Sequence, residues 1–154
     1  MEHIVERLRP EDVDEAEAWG LNRFAVRDTL LALDLSKAWV VYKDRDPVFI
    51  FGLKHLVGKT WTLWGLGTPE AKAILRPMSK WATRVWTPAA FSCGLIDRIE
   101  VRVPLSSSGS WGWLLWLGGN IDARLNCFGA HGEDFILMSM TRTGYEQRKL
   151  KSVH

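Results

Sequence analysis

Cysteine is scarce in this chain, with Cys93 and Cys127 the two among 154 residues. So sparse a pair is a poor disulfide framework for a domain of this size, and both are expected as free thiols in a reducing compartment. An excess of one charge is lacking too, since 20 Lys and Arg stand against 18 Asp and Glu. The field of the molecule therefore singles out neither nucleic acid nor an anionic membrane as partner. Long hydrophobic runs are also missing. The longest, Trp111 to Gly119, is about half of what a bilayer-spanning helix needs, and residues 1–20 are too acidic for a signal peptide. His3, His55 and His131 do not fall at metal-ligand spacing and the cysteines form no CxxC, so no metal site is expected.

Apolar residues and tryptophan are plentiful. A hydrophobic content of 47% can bury the core of one domain, placed at 1–141 with a polar, frayed tail at 142–154. Nine tryptophans are a large surface to bury in core, pocket or partner.

Residues 3–8, HIVERL, alternate weakly before Pro10 and read as a first strand. An acid-rich helix from Pro10 to Trp19 is closed by Gly20, and Val26, Leu30 and Leu33 mark a second amphipathic helix. Three strands follow at 38–43, 47–56 and 59–67, the first two joined by the turn Asp44 to Pro47. Thr68 and Pro69 then open a long helix whose apolar face carries Ala71, Ile74, Leu75, Met78 and Trp81, with Pro77 expected to kink or split it near Arg76. Residues 96–103 alternate as a strand, a serine loop leads to a short tryptophan helix, and a hairpin closes the domain through Gly129 to Gly132. The order is β-α-α-β-β-β-α-β-α-β-β, an α/β (α+β) class with a central mixed, mostly antiparallel sheet flanked by helices.

That order resembles the GNAT acyltransferase fold over about residues 3–141. More narrowly, RLRPEDVDEAEAWGL, PVFIFGL, WTLWGLGTPEAKAIL and SGSWGWLLWLGGNIDARLNCFGAHGEDFILMSM are similar to the GNAT-like internal virion protein A family of short-tailed bacteriophages. In active GNAT proteins the fourth strand leads into R/Q-x-x-G-x-G/A, whose amides hold the cofactor pyrophosphate. Here WTLWGLG runs into Thr68-Pro69-Glu70-Ala71, where proline has no N–H and glutamate brings a negative charge. The family also sets a tyrosine acid four residues before a glycine of its last helix, and aligning Gly118 or Gly119 puts Leu114 or Leu115 there.

Other motifs carry less. GLKHLVGKT has five residues where a Walker A loop has four, and a strand follows it. Gly65-x-Gly67 reads as a strand bulge or turn rather than a phosphate cradle. His55, Glu70, Asp97 and Glu100 are the polar groups near the sheet's cleft that could act as bases, although strand ends carry such residues routinely. Ser106 to Ser108 and the basic Arg148, Lys149 and Lys151 read as solvated segments.

The tryptophan helix is apolar on all sides and must be covered on all sides. Either the closing hairpin and a loop cover the second face within the chain, or a second chain does; on the latter reading Trp111, Trp113, Trp116 and Leu117 form an interface with other phage virion proteins, host proteins or a second copy. The resemblance implies a virion-assembly protein in the virion or host cytoplasm, acting through protein contacts with neither catalytic residues nor cofactor. The enzyme alternative is a divergent GNAT N-acetyltransferase holding acetyl-coenzyme A at Leu66, Gly67 and Thr68 and using a water-relayed base. A third is a phage inhibitor of a host protein.

Overall fold

The computed structural model describes residues 2–151. It opens with α1 (Glu2–Glu6), α2 (Pro10–Ala18) and α3 (Arg23–Leu31), followed by β1 (Ala38–Lys43), β2 (Asp46–Val57) and β3 (Thr60–Gly67). A 3-10 turn over Pro69–Ile74 leads into α4 (Leu75–Trp81), a π turn (Ala82–Trp86) and α5 (Thr87–Ser92). Then come β4 (Arg98–Pro104), α6 (Ser108–Trp116), β5 (Asn120–Leu125), β6 (Phe135–Thr141) and α7 (Arg142–Lys151). The six strands form one sheet in the order β1-β2-β3-β4-β6-β5, antiparallel throughout except for β3 beside β4.

Alternation along the strands builds a core on each face of the sheet. Ile50, Trp64 and Leu66 meet Ile4, Val26 and Leu30 of the N-terminal helices. Phe49, Phe51 and Leu63 meet Ala71, Met78 and Trp86 on the other face. Asn22 caps α3, its side-chain oxygen accepting from the Ala25 amide at 2.9 Å, so the amphipathic stripe of Val26 and Leu30 starts on a satisfied turn.

Three sequence expectations need correction. HIVERL is no strand: Glu2–Glu6 is helical, and the buried Ile4, Val5 and Leu8 have the spacing of a helix face, not the alternation of a strand. The helix after β3 is split close to Arg76 as expected, at Ile74 (φ −102°, ψ 0°), but Pro77 is not the breaker, since it lies in the first turn of α4 where its missing N–H has no partner to lose. The ladder then widens over Ala82–Trp86, just before Pro88, whose ring would collide with the Arg84 carbonyl of a regular helix. Finally, the polar segment read as a tail is helix over Arg142–Lys151, while residues 152–154 lie outside the described residues. Tyr145 stacks on Phe91 with ring centroids 5.6 Å apart, and Arg142 donates to the Ile96 carbonyl at 2.8 Å.

Candidate functional site

The sheet is split in its middle. β3 and β4 pair only at Thr60 with Arg98, Trp61 with Ile99 and Thr62 with Glu100, whereas β3 stays on β2 as far as Gly67 and β4 stays on β6 as far as Pro104. The two parallel strands therefore diverge beyond Thr62 and leave a wedge inside the sheet. Thr68 donates to Val48 across β2, while Gly67 turns away from β2, its amide donating to Asp12 and its carbonyl accepting from Arg9. By the two-residue alternation, Leu63 and Gly65 also turn their backbone N–H and C=O groups into the wedge.

A cavity of 580 Å³ occupies this opening, lined by Trp64 and Leu66 of β3, Val101 and Val103 of β4, and Trp113 and Leu114 of α6. That volume lies within the range of small-molecule sites. One end is closed by α2, whose spacing sets Asp12, Glu15, Ala16 and Trp19 along the cavity. Both oxygens of the buried Asp12 are committed, one to Arg9 at 2.8 Å and the other to the Gly67 amide at 2.6 Å. Burial still raises the Asp12 carboxyl above the ordinary carboxylate value. Among the described residues Glu15 has no such partners. Burial first, with the charge of Asp12 adding to it, pushes its carboxyl up to about 7.

The four bases read from the sequence are engaged elsewhere. His55 Nε2 is bonded to the Gly58 carbonyl at 2.9 Å, and Asp97 pairs with Arg142 at 2.8 Å. Glu100 is held between Arg98 at 3.0 Å and Arg102 at 2.9 Å, and Glu70 pairs with Arg7. Glu15 was missed. Its signal was a glutamate one turn after Asp12 and one turn before Trp19, on the stripe that also carries Ala16.

Leu66, Gly67 and Thr68 do lie at the wide end of the wedge, with Leu66 lining the cavity and Thr68 fully buried. The two glycines serve packing there. A Cβ on Gly67 would lie 2.8 Å from the Phe49 ring and one on Gly65 3.0 Å from it. Of the residues assigned to an interface, Trp113 is taken up by the chain's own core, packing against the Phe49, Phe51 and Met78 cluster and donating to Ser79 Oγ at 2.8 Å. Trp111 is half-buried with its indole N–H on the Leu105 carbonyl at 3.2 Å, and Leu117 lines the cavity. Trp116 stays 64% exposed. Among the described residues no cluster of His, Cys, Asp and Glu could hold a metal ion, and no helix is long and apolar enough to cross a membrane.

Acetyl-coenzyme A fits this site in one part and not in another. The free backbone edge at Leu63 and Gly65 suits the amide-bearing arm of the thioester, which pairs like an added strand. The turn where the diphosphate would lie differs from a phosphate cradle. Pro69 has no N–H, the Ala71 amide is spent on the Thr68 carbonyl at 3.0 Å, and the Glu70 carboxylate occupies the turn. The Thr68 hydroxyl and then its own backbone N–H hold that carboxyl below its usual range.

No family model matches the chain, and no curated protein matches it in sequence. Solved structures do match in fold. A putative acetyltransferase superposes with a TM-score of 0.72 at 14% identity, over 95% of this chain and 80% of that one. A GNAT-family acetyltransferase from Bacillus anthracis gives 0.62 at 12% identity, over 92% and 89%. Spermidine N-acetyltransferase from Vibrio cholerae, in complex with CoA and spermine, gives 0.63 at 11% identity, over 88% and 86%. These likenesses correct the expectation of a virion-assembly protein acting through contacts alone: the matching structures are named as acetyltransferases, and nothing in them carries a phage origin. With its mixed sheet, splayed β3 and β4 and flanking helices, the chain has the fold of the GNAT acetyltransferases.

Proposed function

We propose that this protein is a divergent GNAT-type N-acyltransferase that moves an acyl group from a thioester to an amine, with Glu15 as the general base. The observation that supports it best is a carboxyl with no committed partner, poised near neutrality, in the cavity between the diverging strands. An acyl-coenzyme A, when bound, supplies the electrophilic acyl carbon and a thiol as leaving group.

The chain's own residues prepare the acceptor. At and above pH 7 Glu15 is ionised in a growing fraction of molecules and can take a proton from the acceptor ammonium, freeing the nitrogen lone pair. Asp12 holds the end of β3 in place through Gly67, and the indoles of Trp64 and Trp113 help keep water from the wedge. Leu114 lines the cavity on the helix where the family sets its tyrosine acid. A thiol with an ordinary value near 8.5 leaves readily as thiolate, so the loss of that acid is a smaller handicap than it would be for an alkoxide. The balance is one amine and one thioester converted to one amide and one free thiol, with the ammonium proton released through Glu15.

The test is release of free thiol from acetyl-coenzyme A in the presence of primary amines, with the acylated amine identified by mass. Wild-type turnover that falls by about 100-fold or more in Glu15→Gln is the expected result. No turnover on any amine, or full activity in the variant, would refute the assignment.

A further inference from the structure

The cavity wall on the side of α2 and α3 is apolar, built from Ala16, Trp19, Leu21, Leu30, Leu33 and Trp64. Its charged groups can be taken element by element. At the start of α2, Arg9 just before the helix and Asp12 within it face each other at 2.8 Å, and Asp12 spends its second oxygen on Gly67, which leaves Glu15. From β4, Arg102 is paired with Glu100 at 2.9 Å. From β2, Lys54 lines the cavity with a positive charge. The site therefore offers one uncommitted carboxylate against a cation, and its remaining unneutralised charge repels a second one.

We infer that the acceptor is a monoamine carried on an aromatic or branched apolar body, and that the site disfavours polyamines. This rests on the N-acyltransferase reading above. A single ammonium meets Glu15 while its apolar body lies against Trp19, Trp64, Leu21, Leu30 and Leu33, which removes apolar surface from water. A second ammonium, as in a polyamine, would either lose its hydration among those side chains without a counter-charge or approach Lys54. The preference thus differs from that carried in the name of the spermidine N-acetyltransferase with the same fold. Binding also has a proton signature. A bound ammonium favours the ionised form of a carboxyl poised near 7, so complex formation at neutral pH releases part of a proton to the buffer.

The experiment is calorimetric titration of the full chain with phenethylamine and with spermidine, in two buffers of different ionisation enthalpy, for wild type, Glu15→Gln and Lys54→Glu. Phenethylamine is expected to bind at least about tenfold more tightly than spermidine, a difference of about 1.4 kcal/mol, with a buffer-dependent enthalpy that Glu15→Gln abolishes. Lys54→Glu is expected to narrow the gap by strengthening spermidine. Spermidine binding as tightly as phenethylamine to wild type, no measurable binding of phenethylamine, or an unchanged proton signature in Glu15→Gln would each overturn the inference. Thiol release from acetyl-coenzyme A is then measured with both amines. Selective binding of phenethylamine without transfer to any amine sinks the enzyme reading and leaves the amine site, whereas preferred transfer to spermidine sinks the amine preference and leaves the enzyme.

Discussion

Glu15 sits one turn beyond Asp12, half-buried where Asp12 is buried, and lacks the guanidinium and amide that hold Asp12. Its carboxyl is raised from 4.5 to about 7 in the folded chain, so between these values the native state binds more protons than the unfolded state. Stability from this group is therefore full below about pH 4.5 and is lost as pH rises through about 7. Glu15→Gln cannot ionise and is expected to be more stable than wild type at pH 8, by something on the order of 2 kcal/mol, with the gap closing toward pH 5. Urea midpoints of both proteins at the two pH values check this. Equal midpoints at pH 8 would show that the carboxyl is not shifted. Glu70 makes a second case at the same scale. Its carboxylate stands in the turn a diphosphate would need, so Glu70→Gln is expected to tighten acetyl-coenzyme A roughly fivefold, read as a calorimetric dissociation constant. Unchanged or weaker binding would mean that the turn does not face the diphosphate.

Among the elements, α6 divides its tryptophans between two fates. Trp113 is inserted beside Met78 and Ser79, and Trp113→Ala is expected to cost about 3 kcal/mol of stability through the void it leaves. Trp116 projects outward, and Trp116→Ala should stay within about 0.5 kcal/mol of wild type. Denaturation midpoints of the two variants decide this, and comparable losses would contradict the division. Periodicity alone could not make it, because a helix apolar all round has no polar face to show which side is inward. At the C-terminus, α7 stacks the half-buried Tyr145 on Phe91 and lays the Arg148 guanidinium where a Cβ on Gly118 would come within 2.8 Å of it. Gly118 has φ 99°, so a side chain there would meet both backbone strain and that arginine. Removing residues 142–154 should therefore lower stability by about 2 kcal/mol, measurable as a lower urea midpoint; an unchanged midpoint would return this segment to the status of a tail.

Across the whole molecule the two thiols are unpaired and exposed, Cys93 at the end of α5 and Cys127 in the loop after β5. Alkylation of the folded, unreduced protein is expected to modify both, and a mass showing neither modified would contradict it. The strands at 38–43, 47–56, 59–67 and 96–103, and the closing hairpin, were legible in the sequence because each has alternation or β-branched content bounded by turn residues. Local pattern and breakers suffice for such elements, and the class of fold follows from their order. HIVERL was not legible because six residues hold too few periods to separate a weak alternation from the 4, 5, 8 spacing of a buried helix face. Glu15 left only its place on the α2 stripe in the sequence, since its shifted carboxyl depends on how α2 closes a wedge made by strands some fifty and ninety residues away. Sequence by itself determined most of the elements, though not α1 or α7, together with the absence of a glycine-rich phosphate loop and the lack of a tyrosine on α6, all of them properties of neighbouring residues. Only the tertiary structure decided that β3 and β4 part beyond Thr62, that four candidate bases are spent on partners, and that one glutamate is left desolvated inside the opening, because pairing, burial and charge neutralisation are set between segments distant in the chain.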